Sequence, residues 1–124
     1  MLRGSSSSVK VFYPPYKREE MLSLLKERLL ALSSVLPLQQ AVLFGSWAKG
    51  RATAFSDIDI LLIYKDPPQE DAYQLARYFL KLKGLEPHVY SGKEAESIKA
   101  ILDRMTQGGI VLFSHDTAST ELQT

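Results

Sequence analysis

Leu43-Phe44-Gly45-Ser46-Trp47-Ala48-Lys49-Gly50, followed closely by Ser56-Asp57-Ile58-Asp59-Ile60-Leu61, is the stretch on which the fold turns. Ala41 to Phe44 is a short apolar run, Ile58 to Tyr64 is a second, and both read as buried strands. Gly45-Ser46 punctuates the first of them. The connection, WAKGRATAFS over residues 47–56, is made of polar and small side chains and holds at most a short helical turn. A parallel crossover needs about a dozen residues or more, usually a helix. The sheet is therefore expected to be mixed or to contain an antiparallel pair.

Upstream, from about Lys17, the residues Leu22, Leu25, Leu29 and Leu32 recur at steps of three and four, the stripe of an amphipathic helix ended by Ser33-Ser34 and Pro37. Downstream, Lys65-Asp66-Pro67-Pro68 closes the second strand, with Pro68 placed as a first-turn proline. Ala72, Leu75, Ala76, Phe79 and Leu80 then trace the core face of a second helix, with Gly84 as its stop. Leu85 to Tyr90 reads as a strand that Pro87 confines to an edge or a strand start. Ile98, Ile101, Leu102 and Met105 mark a last helix stopped by Gly108-Gly109, and Ile110 to Phe113 a last strand. This alternation predicts an α/β (α+β) domain, a mixed β-sheet flanked by helices. The domain is placed at residues 16–113. Residues 1–15 form a flexible or extended segment, with Val9 to Tyr13 extended before Pro14-Pro15, and residues 114–124 form a polar tail.

A chain of 124 residues suits one such domain and no more. At 45% hydrophobic and 23% charged residues it has enough apolar bulk to fold, which excludes extensive disorder. A net charge of +1 provides no general attraction for nucleic acid or anionic membrane. Cysteine is absent, which removes disulfides, thiol catalysis and cysteine-rich zinc sites, and leaves histidine and carboxylates as metal ligands. No apolar run reaches the length of a membrane span, and MLRGSSSS lacks the apolar centre of a secretory signal, so the expectation is a cytoplasmic protein.

Asp57 and Asp59 stand two positions apart at the start of a strand, so their carboxylates share a face with Cα atoms about 6.5–7 Å apart. Two carboxylates so close repel, and a cation between them relieves the repulsion. Magnesium suits so sparse an oxygen site, since it completes its octahedron with water and phosphate oxygens. Gly45-Ser46, at the end of the neighbouring strand, lets backbone approach a ligand and offers an amide and a hydroxyl to phosphate.

The string GSWAKGRATAFSDIDILLIY, residues 45–64, resembles the signature of the minimal nucleotidyltransferases of the DNA polymerase beta-like superfamily, in which a Gly-Ser pair precedes an Asp-x-Asp. Gly50 stands four after Ser46, and Ser56 directly precedes the first Asp. The resemblance implies a small nucleotidyltransferase fold that transfers a nucleoside monophosphate, AMP from ATP or another nucleoside triphosphate, to an acceptor hydroxyl. It implies two Mg2+ ions held by Asp57, Asp59 and a third carboxylate on the next strand, here Glu86. His88, two positions on and on the same face of an extended segment, reads as a ligand, a base, or a strand histidine with a structural hydrogen bond. Gly45, Ser46, Lys49 and Ser56 would bind the nucleotide. Small members often pair with a helical HEPN-type protein, some as antitoxins that modify a tyrosine of that partner toxin, and a HEPN-type partner is therefore expected. The chain has little surface of its own to hold an acceptor, and self-association is the other source of it.

Two rivals stand beside this reading. One is a non-catalytic subunit of the same fold that neutralises its partner by contact. The other is a small-molecule transferase of the antibiotic-modifying sort, disfavoured because no acceptor domain follows residue 113. Of the remaining residues, Trp47 is assigned to the core or an interface ahead of stacking on a nucleobase, Arg51 is either a solvated loop base or a contact to triphosphate oxygens, and His115 belongs to the tail. Tyr73 and Tyr78 lie off the main stripe of their helix, as exposed aromatics or as a widened core face.

Overall fold

The computed structural model describes residues 17–53 and 56–114. Its elements run α1 (Arg18–Ser33), β1 (Leu38–Phe44), β2 (Ile58–Tyr64), α2 (Ala72–Leu80), β3 (Leu85–Ser91), α3 (Gly92–Ser97), α4 (Lys99–Met105) and β4 (Ile110–Ser114). The strands form one sheet in the order β3-β2-β1-β4. β1 pairs antiparallel with both β2 and β4, and β2 pairs parallel with β3. The fold is the expected mixed sheet with flanking helices. Val9 to Tyr13 and residues 115–124 of the polar tail, His115 among them, lie outside the described residues.

Strand alternation divides the side chains into two layers. Leu43, Ile58, Ile60 and Leu62 point to one side and pack with Met21, Leu25, Leu29 and Leu32 of α1 and Ala72, Ala76 and Leu80 of α2. Val42, Phe44 and Leu61 point to the other and pack with Ala95 of α3 and Leu102 of α4. Because β2 is covered on both sides, it reads as a nearly unbroken apolar run, interrupted by Asp59. That interruption lies at one end of the α3–α4 face, and there the candidate site begins. Among the described residues no helix is long and apolar enough to cross a membrane.

Several boundaries differ from expectation, each for a local reason. β1 starts at Leu38, since pairing with β2 recruits the polar Gln39 and Gln40 despite a register shift there. The buried stripe of α1 starts at Met21, while Leu22 is only half-buried. Pro68 is not a first-turn proline, because α2 begins at Ala72. That helix ends before Gly84, with Lys81 left-handed at φ 36° and its N–H donating to the Arg77 carbonyl. The expected last helix is α4, with Ile98 at its N-cap, but a further short helix, α3, precedes it; its polar sequence hid it, and it is started by Ser91, whose hydroxyl accepts from the Glu94 N–H while Glu94 accepts from the Ser91 N–H. Pro87 does sit on an edge strand, as its missing N–H requires. β4 continues one residue beyond the expected strand, to Ser114.

Candidate nucleotide and metal site

The site forms where β1 ends and β2 and β3 begin. Register places Asp59 between Phe44 on one side and Glu86 on the other, so the three side chains share the face of the sheet that α3 and α4 cover farther along. Asp57 precedes β2 and is exposed, and Glu86 is exposed on the edge strand. Asp59 is half-buried, and its Oδ1 lies 3.7 Å from Nε2 of His88. The His88 ring in turn rests on Phe44, with centroids 5.2 Å apart and planes inclined at 55°. Burial pushes the Asp59 carboxyl above its usual range; His88 opposes that rise, and the charges of Asp57 and Glu86 add to it.

After β1 the chain turns through Gly45 at φ +79° and Gly50 at φ +73°, values that favour glycine. The Lys49 N–H donates to the Gly45 carbonyl and the Arg51 N–H to the Ser46 carbonyl, so the segment is the short turn that its length allowed. A Cβ on Gly45 would meet Oδ2 of Asp59, which packs the carboxylate directly against this backbone. The turn is anchored from α1, where the Arg18 guanidinium donates to the carbonyls of Trp47 and Ala48 at 3.3 and 2.9 Å. Nothing in the local sequence signals Arg18, because its partners lie about thirty positions away.

The structure brings the expected nucleotide-binding residues together unevenly. Gly45 lies beside Asp59, Ser46 follows it in the turn, and Lys49 and Arg51 are exposed there. Ser56 closes the other end of the connection: its hydroxyl accepts from the Thr53 N–H at 2.8 Å, and its own N–H donates to the Thr53 carbonyl. Trp47 is in the core, as assigned, with its indole N–H buried and unbonded among the described residues. Tyr73 and Tyr78 are exposed.

Among the described residues no three His, Asp or Glu side chains converge to enclose a metal ion. The donor set nevertheless fits a hard divalent cation of the kind that takes one or two carboxylates from the protein and its remaining oxygens from phosphate and water. The half-buried Asp59, with two further carboxylates close enough to raise its pKa, is where such a charge would be accommodated.

Comparison with known proteins places this geometry in context. A family described as nucleotidyltransferase domain matches residues 22–111. No curated protein sequence matches the chain. Among solved structures, a Sulfolobus solfataricus protein described as a nucleotidyltransferase is similar with a TM-score of 0.55 and 22% identity, over 80% of this chain and 85% of that one. A complex of tri-AMPylated Shewanella oneidensis HEPN toxin with MNT antitoxin contains a chain similar at TM-score 0.51 and 20% identity, over 80% of this chain and 77% of that one. A toxin–antitoxin structure with AMP-PNP is similar at 0.52 and 21%, over 75% and 76%. At these identities the likeness is one of fold.

Proposed function

We propose that this chain, which belongs to the nucleotidyltransferase domain family, transfers AMP from ATP to a hydroxyl of a HEPN-type helical protein and so acts as its antitoxin. The observation that carries this reading is the seating of the Asp59 carboxylate against the Gly45 backbone, which joins the acidic pair to the Gly-Ser turn in one site. The fold's likeness to MNT antitoxins of MNT–HEPN pairs supports the choice of partner.

In the reaction the acceptor hydroxyl gives up its proton to solvent and its oxygen forms a bond to the α phosphorus, the bond from that phosphorus to the bridging oxygen breaks, and pyrophosphate leaves with the electron pair. Backbone at Gly45, the Ser46 hydroxyl and the exposed Lys49 would grip the outer phosphates, while Ser56 holds the connection's far end in shape. Asp57 and Asp59 would hold divalent cations, Mg2+ being the hard ion that fits carboxylate and phosphate oxygen, with Glu86 as a third charge on the same face. Such ions, when bound, make the acceptor hydroxyl easier to deprotonate and neutralise the leaving pyrophosphate. The protein's own part is positioning, with Phe44 and Arg18 keeping the site's two sides in place. A reaction fed by ATP suits a cytoplasmic setting.

The test is incubation of the full chain with ATP, Mg2+ and the HEPN-type protein encoded with it, followed by mass spectrometry of that partner. A nucleotide adduct on a Tyr, Ser or Thr, absent without metal, is expected. One observation favours a second reading, a non-catalytic subunit: no three metal donors converge among the described residues. A tight complex that forms without ATP and never acquires an adduct would establish it.

A further inference from the structure

We propose that the outer face of α2 and the turn that follows it form the docking surface for the partner protein, and that the surface they receive on that protein is acidic. The inference rests on the reading of a HEPN-type helical protein as the partner and goes beyond it in naming where that protein sits and by what chemistry. Position is the first observation. The Ile58 N–H donates to the Gly84 carbonyl at 2.7 Å, and a Cβ on Gly84 would stand 3.4 Å from the Ser56 carbonyl oxygen. The turn after α2 therefore abuts the residues on either side of Asp57, and from it β3 runs on to set Glu86 beside Asp59. A protein held on α2 and this turn is held at the mouth of the site.

Charge is the second observation. From Ala72 to Leu85 the chain carries Arg77, Lys81 and Lys83 and no carboxylate. All three are exposed, and among the described residues no Asp or Glu pairs with any of them. Glu70 and Asp71 stand exposed just before α2, so positive charge gathers at the end of the helix nearest the site. Unpaired cations there attract carboxylates of a partner and fix its register. Side-chain type is the third observation. Tyr73, Arg77 and Lys81 fall in one row at steps of four, and Tyr78 in the row beside it. Tyr73 and Tyr78 are 46% and 70% exposed. Arg77 is held in place, its guanidinium 5.9 Å over the Tyr73 ring and donating to the Leu85 carbonyl. Tyrosine and arginine are the residues that anchor protein interfaces, and a guanidinium already held in place loses little freedom on binding. Nucleic acid is the weaker fit, because its affinity grows with the number of phosphates neutralised and this surface offers few cations.

The experiment uses the full chain and the HEPN-type protein encoded with it. Binding is measured by calorimetry without ATP, and AMP transfer is followed over a range of partner concentrations. The double variant Lys81→Glu with Lys83→Glu, and separately Tyr78→Ala, should each weaken binding at least about tenfold. KM for the partner should rise to match, while kcat at saturating partner stays within about twofold of wild type. Lys93→Glu, which reverses an exposed charge on α3 across the sheet, should change neither. Added salt should weaken wild-type binding more than that of the double variant. Wild-type binding insensitive to salt overturns the proposal without recourse to any variant, as does binding unchanged in the folded double variant; neither touches the transferase reading. Binding that is lost in both variants, with no transfer by wild type, sustains the docking surface and removes the transferase reading instead. A wild-type chain that does not bind the partner overturns both. Single-stranded RNA released by the double variant while partner binding persists, or a dimer of this chain alone abolished by Tyr78→Ala, would give the surface another occupant and overturn the proposal.

Discussion

A Cβ on Gly45 would stand 2.6 Å from Oδ2 of Asp59, so the carboxylate occupies the space that any other residue at position 45 would need. At Gly50, on the same turn, a Cβ would meet nothing within 4 Å, although its φ is also positive. The two glycines thus separate backbone strain from steric conflict. Gly50→Ala should cost about 1 kcal/mol from strain alone, a drop of a few degrees in Tm, with metal and triphosphate binding retained. Gly45→Ala should destabilise more and also weaken metal binding by displacing Asp59. Thermal melts and calorimetry on the two variants check this, and equal effects on binding would contradict it.

Asp57→Asn and Asp59→Asn should each lower nucleotide transfer by at least about a hundredfold while the fold persists, because each removes a charge that faces the reacting phosphates. Transfer to the verified partner, measured beside circular dichroism, is the check.

The raised pKa of Asp59 gives a pH dependence of defined sign. A carboxyl more basic in the folded than in the unfolded chain binds more protons when folded, so it lowers stability as pH rises from the usual carboxylate range through the raised value. Metal-free Asp59→Asn should therefore melt higher than wild type at neutral pH, and the advantage should vanish in acid below the usual Asp range. Melts across that window check the sign; a lower Tm at neutral pH would contradict it.

Arg18→Ala removes two charge-assisted bonds to the carbonyls of Trp47 and Ala48. A loss of about 1–2 kcal/mol is expected, with weaker nucleotide binding because the Gly-Ser turn loses its anchor. Denaturant melts and nucleotide titration measure both effects.

Gly109 owes its identity to crowding. A Cβ there would lie 2.8 Å from the Leu43 carbonyl oxygen and 2.9 Å from that of Thr106, backbone atoms that cannot swing aside. Gly109→Ala should destabilise by about 1–3 kcal/mol through forced separation of β4 from β1, read as a lower denaturation midpoint at unchanged slope.

The sequence by itself determined what depends on local pattern. The apolar run at Ile58 to Tyr64 matched β2 end to end, the alternation of Ala72 to Leu80 located α2, and the short connection after Gly45 required the antiparallel pairing of β1 with β2. The proximity of the Gly-Ser turn to Asp59 was legible for the same reason, since a short link leaves the two strand ends together. Tertiary structure alone decided what depends on phase between distant elements. Glu86 and His88 share one face of β3, and only the register with β2 and the packing of Phe44 turn the imidazole toward Asp59. In α1, the orientation of the helix on the sheet chose Met21 over Leu22 for full burial. Arg18 reached the turn because α1 packs over it, and Gly109 was required because β4 returns beside Leu43. Side-chain period is written along the chain, but register and helix rotation are settled by packing between segments far apart in sequence, and no local window contains that energy.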